Sequence, residues 1–324
     1  MATIGSDFLT LADWVKRIDP DGQQANIVES LNETNEILDD MIFTEGNLTT
    51  GHRTTIRTGL PSVTWRKLNY GVARSKSRTA QVDDTIGLCE AASEVDEELA
   101  ALNGNKASFL MSEEKPFVEA MSQEMAGGLF YFDTDVNPEK FLGLAERYPN
   151  LATSNVVDAG GTGSDLTSVW LVTWGPQTAF GIFPKGSTAG LSREYKGLVR
   201  VTDDQGNPYW AHSSQYKWKI GLCVRDWRYI VRICNVETGG ATNIIDHELL
   251  IRALGKLPSI RTGAENRMAF YMHKDVWTDF QILAIDKPNA GLSWTELYGQ
   301  RVLSFWGVPF RQVDQLLITE DALT

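Results

Sequence analysis

The chain has 324 residues, which is enough to bury a substantial core over two domains or subdomains. Its formal net charge of −12 argues against general coating of nucleic acid, which needs a broad basic face. No run approaches the ~18 apolar residues of a membrane span, and the N-terminal residues lack the charged and apolar regions of a signal peptide. We therefore expect a soluble cytosolic protein without membrane contact. Its three cysteines form no CxxC and are expected to be reduced, buried thiols.

The first third of the chain divides into three predicted pieces. Residues 1–20 look like a loosely ordered arm with one short amphipathic turn, and the spacing of apolar residues predicts a helix over about 24–41. Residues 47–86 are rich in Thr, Arg and Val, alternate over short stretches and are interrupted by Gly59, Pro61, Asn69 and Gly71. This pattern predicts a long two-stranded hairpin with little core of its own, which needs a partner to be stable.

Charge is segregated around this hairpin. Residues 52–78 contain seven cations and no acid: Arg53, Arg57, Arg66, Lys67, Arg74, Lys76 and Arg78. The flanking segments are acidic, and the acids that follow include Asp83, Asp84, Glu94, Asp96, Glu97 and Glu98. Opposite charges of this kind steer encounter and set register between surfaces. We expect the basic hairpin to reach onto an acidic surface of a neighbouring copy; a solvated surface hairpin is the alternative.

Two helices are predicted after the hairpin. The first covers residues 86–107. The second begins at a Ser112 cap, accommodates Pro116 in its first turn and ends near Ala126, before Gly127-Gly128. A compact loop over 137–151 follows, and then a flexible glycine-rich loop over 158–165.

The second half of the chain is rich in strand patterns. Strands are predicted over 169–174 and 178–183, which flank a turn at 175–177, and over 197–202, 209–212, 216–223, about 225–233 and 267–271, with two or three short strands in 292–318. Helices are predicted over 242–255 and 273–285. Helix-rich, then strand-rich, then mixed order indicates an α+β fold rather than alternating βαβ units.

Motifs that would indicate catalysis are missing. The Gly160–Ser164 glycines lack the GxGxxG or GK[ST] spacing of phosphate loops. The four histidines are scattered, and Asp246-His247-Glu248 on a helix would point in different directions. The carboxylates of 203–207 lack the spacing of an EF-hand and suit a hairpin turn. We expect no enzyme activity, no metal and no cofactor, although a carboxylate pair is defined only by distance in space.

Four segments resemble the major capsid proteins of tailed, particularly short-tailed, bacteriophages. They are residues 116–148, 160–191, 216–236 and 307–320, with the WLV-W-G, PKGS-AGL and GL-VRDWRY stretches the most specific. That family shares the Hong Kong 97-like fold. The resemblance covers most of the chain from about residue 45 and is weaker before it.

The resemblance implies an α+β Hong Kong 97-like fold with five parts. These are an N-terminal arm (1–45), an extended β-hairpin loop (46–86), a peripheral domain with a long spine helix (87–155), an axial domain (156–300) and a strand returning to the peripheral domain (301–324). Because little chain follows that strand, an earlier segment could supply the closing strand, which would permute the order of elements.

The same resemblance implies a structural function. Copies would form hexamers and pentamers of an icosahedral shell around double-stranded DNA, without sequence-specific DNA contact. Gly59, Gly71 and the 158–165 loop are candidate flex points. Separate scaffolding, portal and decoration or cement proteins are expected, with assembly in the host bacterial cytoplasm. Two rivals are kept: an encapsulin-like compartment shell, which encloses protein cargo, and a β-rich hydrolase with a carboxylate pair.

Overall fold

The computed structural model describes residues 33–102, 106–203, 205–239, 244–258, 266–286, 292–297 and 300–324, with side chains left undescribed over 283–302. The predicted arm over 1–20 and most of the helix predicted over 24–41 lie outside these residues. No helix of the described residues is both long and apolar enough to cross a membrane.

Fourteen strands and six α-helices are named for the described chain. The strands are β1 Phe43–Glu45, β2 Gly51–Gly59, β3 Arg78–Thr85, β4 Gly87–Asp96, β5 Val156–Asp158, β6 Leu166–Trp174, β7 Ala179–Phe183, β8 Leu191–Thr202, β9 Pro208–Val224, β10 Ile230–Glu237, β11 Arg267–Met272, β12 Leu292–Leu297, β13 Gln300–Phe305 and β14 Val308–Gln312. The helices are α1 Ile37–Asp40, α2 Glu97–Ala101, α3 Lys106–Tyr131, α4 Leu144–Arg147, α5 His247–Lys256 and α6 Lys274–Asp286.

Strand β6 is the centre of the core, and all nine of its residues are buried. It pairs antiparallel with β10 on one side and with β11 on the other. Trp170 and Val172 pack in one apolar cluster with Leu129 of α3, whereas Val169 and Leu171 belong to a second cluster. Because both faces are covered, the strand has the nearly continuous apolar sequence of a doubly buried strand.

A long sheet connects the predicted peripheral and axial segments. Its strand order is β12-β13-β14-β11-β6-β7-β9-β4, with β10 joined to β6, β5 joined to β10, β8 joined to β9 and β1 joined to β7. Strand β9 pairs with β7 near its C-terminal end and with β4 and β8 along the rest. The segments 87–155 and 156–300 are therefore joined in one continuous sheet by the pairing of β4 with β9, and the domain boundaries drawn between them stay a prediction.

The prediction of a helix over 86–107 is wrong for the first half of this segment, which forms strand β4. Ten consecutive residues of β4 pair antiparallel with β9, from Gly87↔Ile220 to Asp96↔Ala211. Ser93 and Val95 are buried while Leu88, Glu90 and Glu94 are exposed, which is the period-two pattern of a strand. Helix-favouring Ala and Glu side chains misled the prediction, because tertiary pairing overrides weak local propensity.

The predicted boundaries of the spine helix are also wrong at both ends. Helix α3 begins six residues before Ser112, because Phe109 in its first turns is buried against Val95 and Leu99. Pro116 therefore lies inside the helix. The helix also continues through Gly127-Gly128 to Tyr131, making it 26 residues and roughly 39 Å long.

The hairpin prediction over 47–86 is confirmed. Strands β2 and β3 pair antiparallel from Gly51↔Thr85 to Gly59↔Arg78 and form a two-stranded sheet of their own. A register shift falls between Arg57 and Gly59.

Most other predicted elements are also present. The strands predicted over 209–212 and 216–223 form one strand, β9, and those flanking 175–177 pair in parallel only at Trp174↔Ala179. The predicted helices near 242–255 and 273–285 correspond to α5 and α6, and the two or three short strands predicted within 292–318 are the three strands β12, β13 and β14.

Candidate inter-subunit site

The hairpin is the most exposed part of the described chain. Residues 60–77, which join β2 to β3, are exposed throughout and contain no strand. Their internal order comes from a turn at Lys67–Tyr70 and from the Ser75 hydroxyl, which donates a hydrogen bond of 2.8 Å to the Ser62 carbonyl. We call residues 60–77 the hairpin tip.

Large apolar side chains cover the tip without any contact that buries them. They are Leu60, Val63, Trp65, Leu68, Tyr70 and Val72. Trp65 is 101% exposed and Val63 is 94% exposed. Several large exposed apolar side chains in one short segment indicate an interaction site. The sequence analysis weighed only the cations of this segment and missed these residues, although large apolar residues in a segment predicted to have little core of its own were a usable signal.

Six of the seven predicted cations carry no ion pair to the described part of the chain. Arg57, Arg66, Lys67, Arg74, Lys76 and Arg78 are all exposed. Arg53 differs, because its guanidinium donates two hydrogen bonds of 2.6 Å to the Asp83 carboxylate across the hairpin. That bond lowers the pKa of Asp83 and raises the pKa of Arg53.

Asp84 anchors the base of the hairpin to the core of its own subunit. Its carboxylate accepts a hydrogen bond of 2.7 Å from Arg147, whose guanidinium also donates to the carbonyls of Leu142 and Leu222. The side chains of Asp84 and Arg147 are 3% and 14% exposed. Asp83 and Asp84 are therefore both engaged inside the subunit. Arg147 was missed because its partner is 63 residues away in the sequence.

Further contacts hold the hairpin base in place. The Thr54 hydroxyl lies 3.6 Å from the Cys223 sulfur, and the His52 ring meets Phe180 edge-on at 5.5 Å between centroids. Burial raises the pKa of the Cys223 thiol to about 12, so this thiol stays protonated. The base of the hairpin is thus part of the core, while the tip projects away from it.

The remaining predicted acids lie on β4 and α2. The Asp96 carboxylate caps α2 by accepting hydrogen bonds from the backbone N–H groups of Glu98 and Leu99 at 2.8 and 3.3 Å. Glu94 and Glu98 are exposed, and Glu97 is partly exposed. These three glutamates carry no ion pair to the described residues and remain available to a partner.

Within the described ranges, no group of three or more His, Cys, Asp or Glu side chains could hold a metal ion. Asp246 of the DHE triplet instead caps α5 by accepting a hydrogen bond of 2.9 Å from the Leu249 N–H. Cys89, Cys223 and Cys234 are free thiols; Cys223 and Cys234 are buried as predicted, whereas the prediction of burial is wrong for Cys89, which is partly exposed.

A spine helix packed on a long sheet, with a projecting hairpin, is the architecture of a Hong Kong 97-like phage capsid subunit. A solved structure of bacteriophage epsilon15 is similar to this chain, with 31% identity and a TM-score of 0.78. The match covers 100% of this chain and 100% of the epsilon15 chain. The model of the family described as major capsid protein GP7 matches residues 19–324. The chain belongs to this family and is a major capsid protein of a bacteriophage, a virion component that assembles with copies of itself.

More distant structures add nothing to this assignment. A match to an encapsulin complex from Synechococcus elongatus covers 66% of this chain and 93% of the encapsulin chain, at 11% identity and a TM-score of 0.43. A match to a structure of a Microbacterium phage covers 69% of this chain and 98% of the phage chain, at 11% identity and a TM-score of 0.43. No curated protein sequence matches the chain.

Proposed function

We propose that the chain forms hexamers and pentamers that close into an icosahedral shell around double-stranded DNA. The observation that carries this proposal is the hairpin tip, which exposes apolar side chains and four cations on a subunit of net charge −12. Such a surface is stable in water only when a partner covers it. Another copy of the chain is the partner that the capsid family supplies.

The cations of the hairpin would set the register of this contact. Acids of the next subunit, including Glu94, Glu97 and Glu98, would face the six cations that have no ion pair within the described chain. These cations are Arg57, Arg66, Lys67, Arg74, Lys76 and Arg78. A single exposed ion pair contributes about 0–1 kcal/mol, so the free energy of association must come from several pairs and from the apolar side chains. Arg53, Asp83 and Asp84 are engaged within the subunit and would support the hairpin instead of bridging copies. Asp96 would likewise stay engaged at the start of α2.

The same acidic balance suits a container for DNA. A net charge of −12 repels phosphates, so packaged DNA would not adhere generally to the shell, and no sequence-specific DNA contact is proposed. Scaffolding, portal and decoration or cement proteins are proposed as further partners, and assembly is proposed to occur in the cytoplasm of the host bacterium.

The test is a charge reversal on the hairpin. Arg74→Glu, Lys76→Glu and Arg78→Glu together are expected to abolish shells, measured by light scattering and negative-stain imaging. The control triple Lys115→Glu, Lys185→Glu and Arg200→Glu makes the same change in net charge at exposed cations elsewhere. Unchanged shell yield from the hairpin triple would overturn the proposed role of its cations.

A further inference from the structure

A groove of about 250 Å³ opens between the start of β4 and the C-terminal half of α3. Its apolar lining includes Leu88, Met125, Phe132 and Phe141. Leu88 is 52% exposed, so part of this apolar surface faces solvent. Small-molecule sites usually measure roughly 300–1,000 Å³, whereas this volume is closer to that of one large side chain.

Carboxylates surround the groove. Glu90, Glu124 and Glu139 line it, against one lysine, Lys140. Glu139 is exposed and has no ion pair to the described residues, while Glu124 pairs with Lys140 at 3.0 Å. Glu90 lies 3.6 Å from Lys217. Because these pairs are solvent-exposed, they are weak and can be exchanged for contacts with an arriving cation.

The hairpin tip has the complementary chemistry. Trp65 projects into solvent, and Arg66 and Lys67 follow it directly. The groove lies near the base of the hairpin, since Gly87 lines it and β3 ends at Thr85. Strand β2 carries the chain nine residues, roughly 27 Å, from the hairpin base at Gly51 before the tip begins. Trp65 is fully exposed in its own subunit and so does not fill the groove of that subunit.

We propose that the groove receives Trp65 from the hairpin of a second copy, with Arg66 and Lys67 at its acidic rim. This assignment rests on the proposed shell and adds to it the docking position of the tip. Tryptophan suits the role, because its large rigid ring buries much apolar area with few rotatable bonds.

Cys89 provides a native probe of the docking. It lines the groove and is partly exposed, whereas Cys223 and Cys234 are buried. Thr64→Cys places a second thiol beside Trp65 without removing it. Particles of this variant, treated with a short bis-maleimide, are expected to show subunits linked into dimers and higher multimers on a denaturing gel. The reaction is run at mildly alkaline pH, because burial raises the pKa of the Cys89 thiol.

Three controls make the result specific. Cys89→Ser in the Thr64→Cys background should abolish the linked species. Gly71→Cys, at the same exposed tip but six residues from Trp65, should link at least tenfold less. Trp65→Ala in the Thr64→Cys background should lower the yield at least tenfold, and Trp65→Phe should retain most of it.

The outcomes separate this proposal from the proposed function. Intact shells without Cys89-dependent links would overturn the groove assignment and leave the shell standing. Links from Cys89 to a protein other than this chain would assign the groove to that partner and overturn the second copy as its occupant. A chain that stays monomeric with the other structural proteins of its phage would overturn both.

Discussion

Arg232 and Glu320 form an ion pair of 2.8 Å in which the side chains are 6% and 7% exposed. The Glu320 carboxylate also accepts hydrogen bonds from the hydroxyls of Ser168 and Tyr131, and Arg232 donates further bonds to the Ser168 hydroxyl and the Tyr148 carbonyl. One buried cluster thus joins the C-terminal segment to β6, β10 and the end of the spine helix.

Removing the acid of this cluster should strongly destabilise the subunit. Glu320→Gln leaves the Arg232 guanidinium buried without a counter-charge, and breaking a buried pair in this way costs about 3–5 kcal/mol. The measurement is the urea midpoint of the unassembled subunit. Glu248→Gln, which removes the exposed partner of Arg252, is the control and should change stability by about 0–1 kcal/mol. Equal effects of the two variants would contradict the structural role of the cluster.

Two adjacent aspartates of the hairpin should behave differently. Asp84→Asn weakens the contact that balances the buried Arg147 and should cost about 3 kcal/mol of unfolding free energy, because the guanidinium stays buried. Asp83→Asn affects a solvent-exposed pair with Arg53 and should leave the urea midpoint unchanged. If both variants unfold at the wild-type urea concentration, Asp84 does not anchor the hairpin base.

Two neighbouring glycines of the spine helix form a second matched pair. A Cβ at Gly128 would lie 2.3 Å from a ring carbon of Phe132, so Gly128→Ala should lose about 1–3 kcal/mol through overpacking. A Cβ at Gly127 would meet only the Gln315 side chain, at 3.2 Å. Gly127→Ala should be neutral or stabilise by up to about 1 kcal/mol through helix propensity. Thermal unfolding compares them, and a destabilised Gly127→Ala beside a neutral Gly128→Ala would refute the packing.

Stability should fall as the pH drops from about 7.5 to 5.5. Burial lowers the pKa of His273, which is neutral in the folded state and whose Nδ1 accepts a hydrogen bond of 3.2 Å from the Asp275 N–H. Nearby Asp275 and Asp314 raise this pKa and Lys274 lowers it further, but desolvation is the largest cause. The unfolded chain, with an ordinary histidine pKa near 6.5, therefore binds more protons than the folded chain over this interval. The stability contributed by neutral His273 is present above pH 6.5 and is lost below it.

The check is a series of urea midpoints across that pH range for the wild type and His273→Gln. The variant should show a smaller decline, because its side chain does not titrate. His52 and His212, whose pKa values burial also lowers, remain in the variant and account for a residual slope. An identical decline in both proteins would exclude His273 as a contributor.

Local patterns predicted the elements whose sequence signal agreed with their tertiary setting. The β2–β3 hairpin, the buried strand β6 and helices α5 and α6 were found because alternation, a continuous apolar run and helical periodicity are each readable in a short window. The cations of the hairpin were found for the same reason, since an acid-free segment is a property of consecutive residues.

The errors occurred where distant residues decide the outcome. Strand β4 has helix-favouring composition, and only its ten-residue pairing with β9, more than 100 residues later in the chain, makes it a strand. Helix α3 passes Gly127-Gly128 because close approach of Phe132 to Gly128 requires a residue without a Cβ, so the glycines that suggested an end serve packing.

The sequence by itself determined that this is an acidic chain with a cationic hairpin, an α+β organisation and segments typical of a phage capsid subunit. Only the tertiary structure decided which charges are free to bind another copy. Arg53 is bound by Asp83, Asp84 by Arg147 and Asp96 by the end of α2, whereas the cations of the tip have no ion pair within the described chain. The physical reason is that ion pairing and burial depend on distances in space, and these partners lie up to 63 residues apart in the sequence.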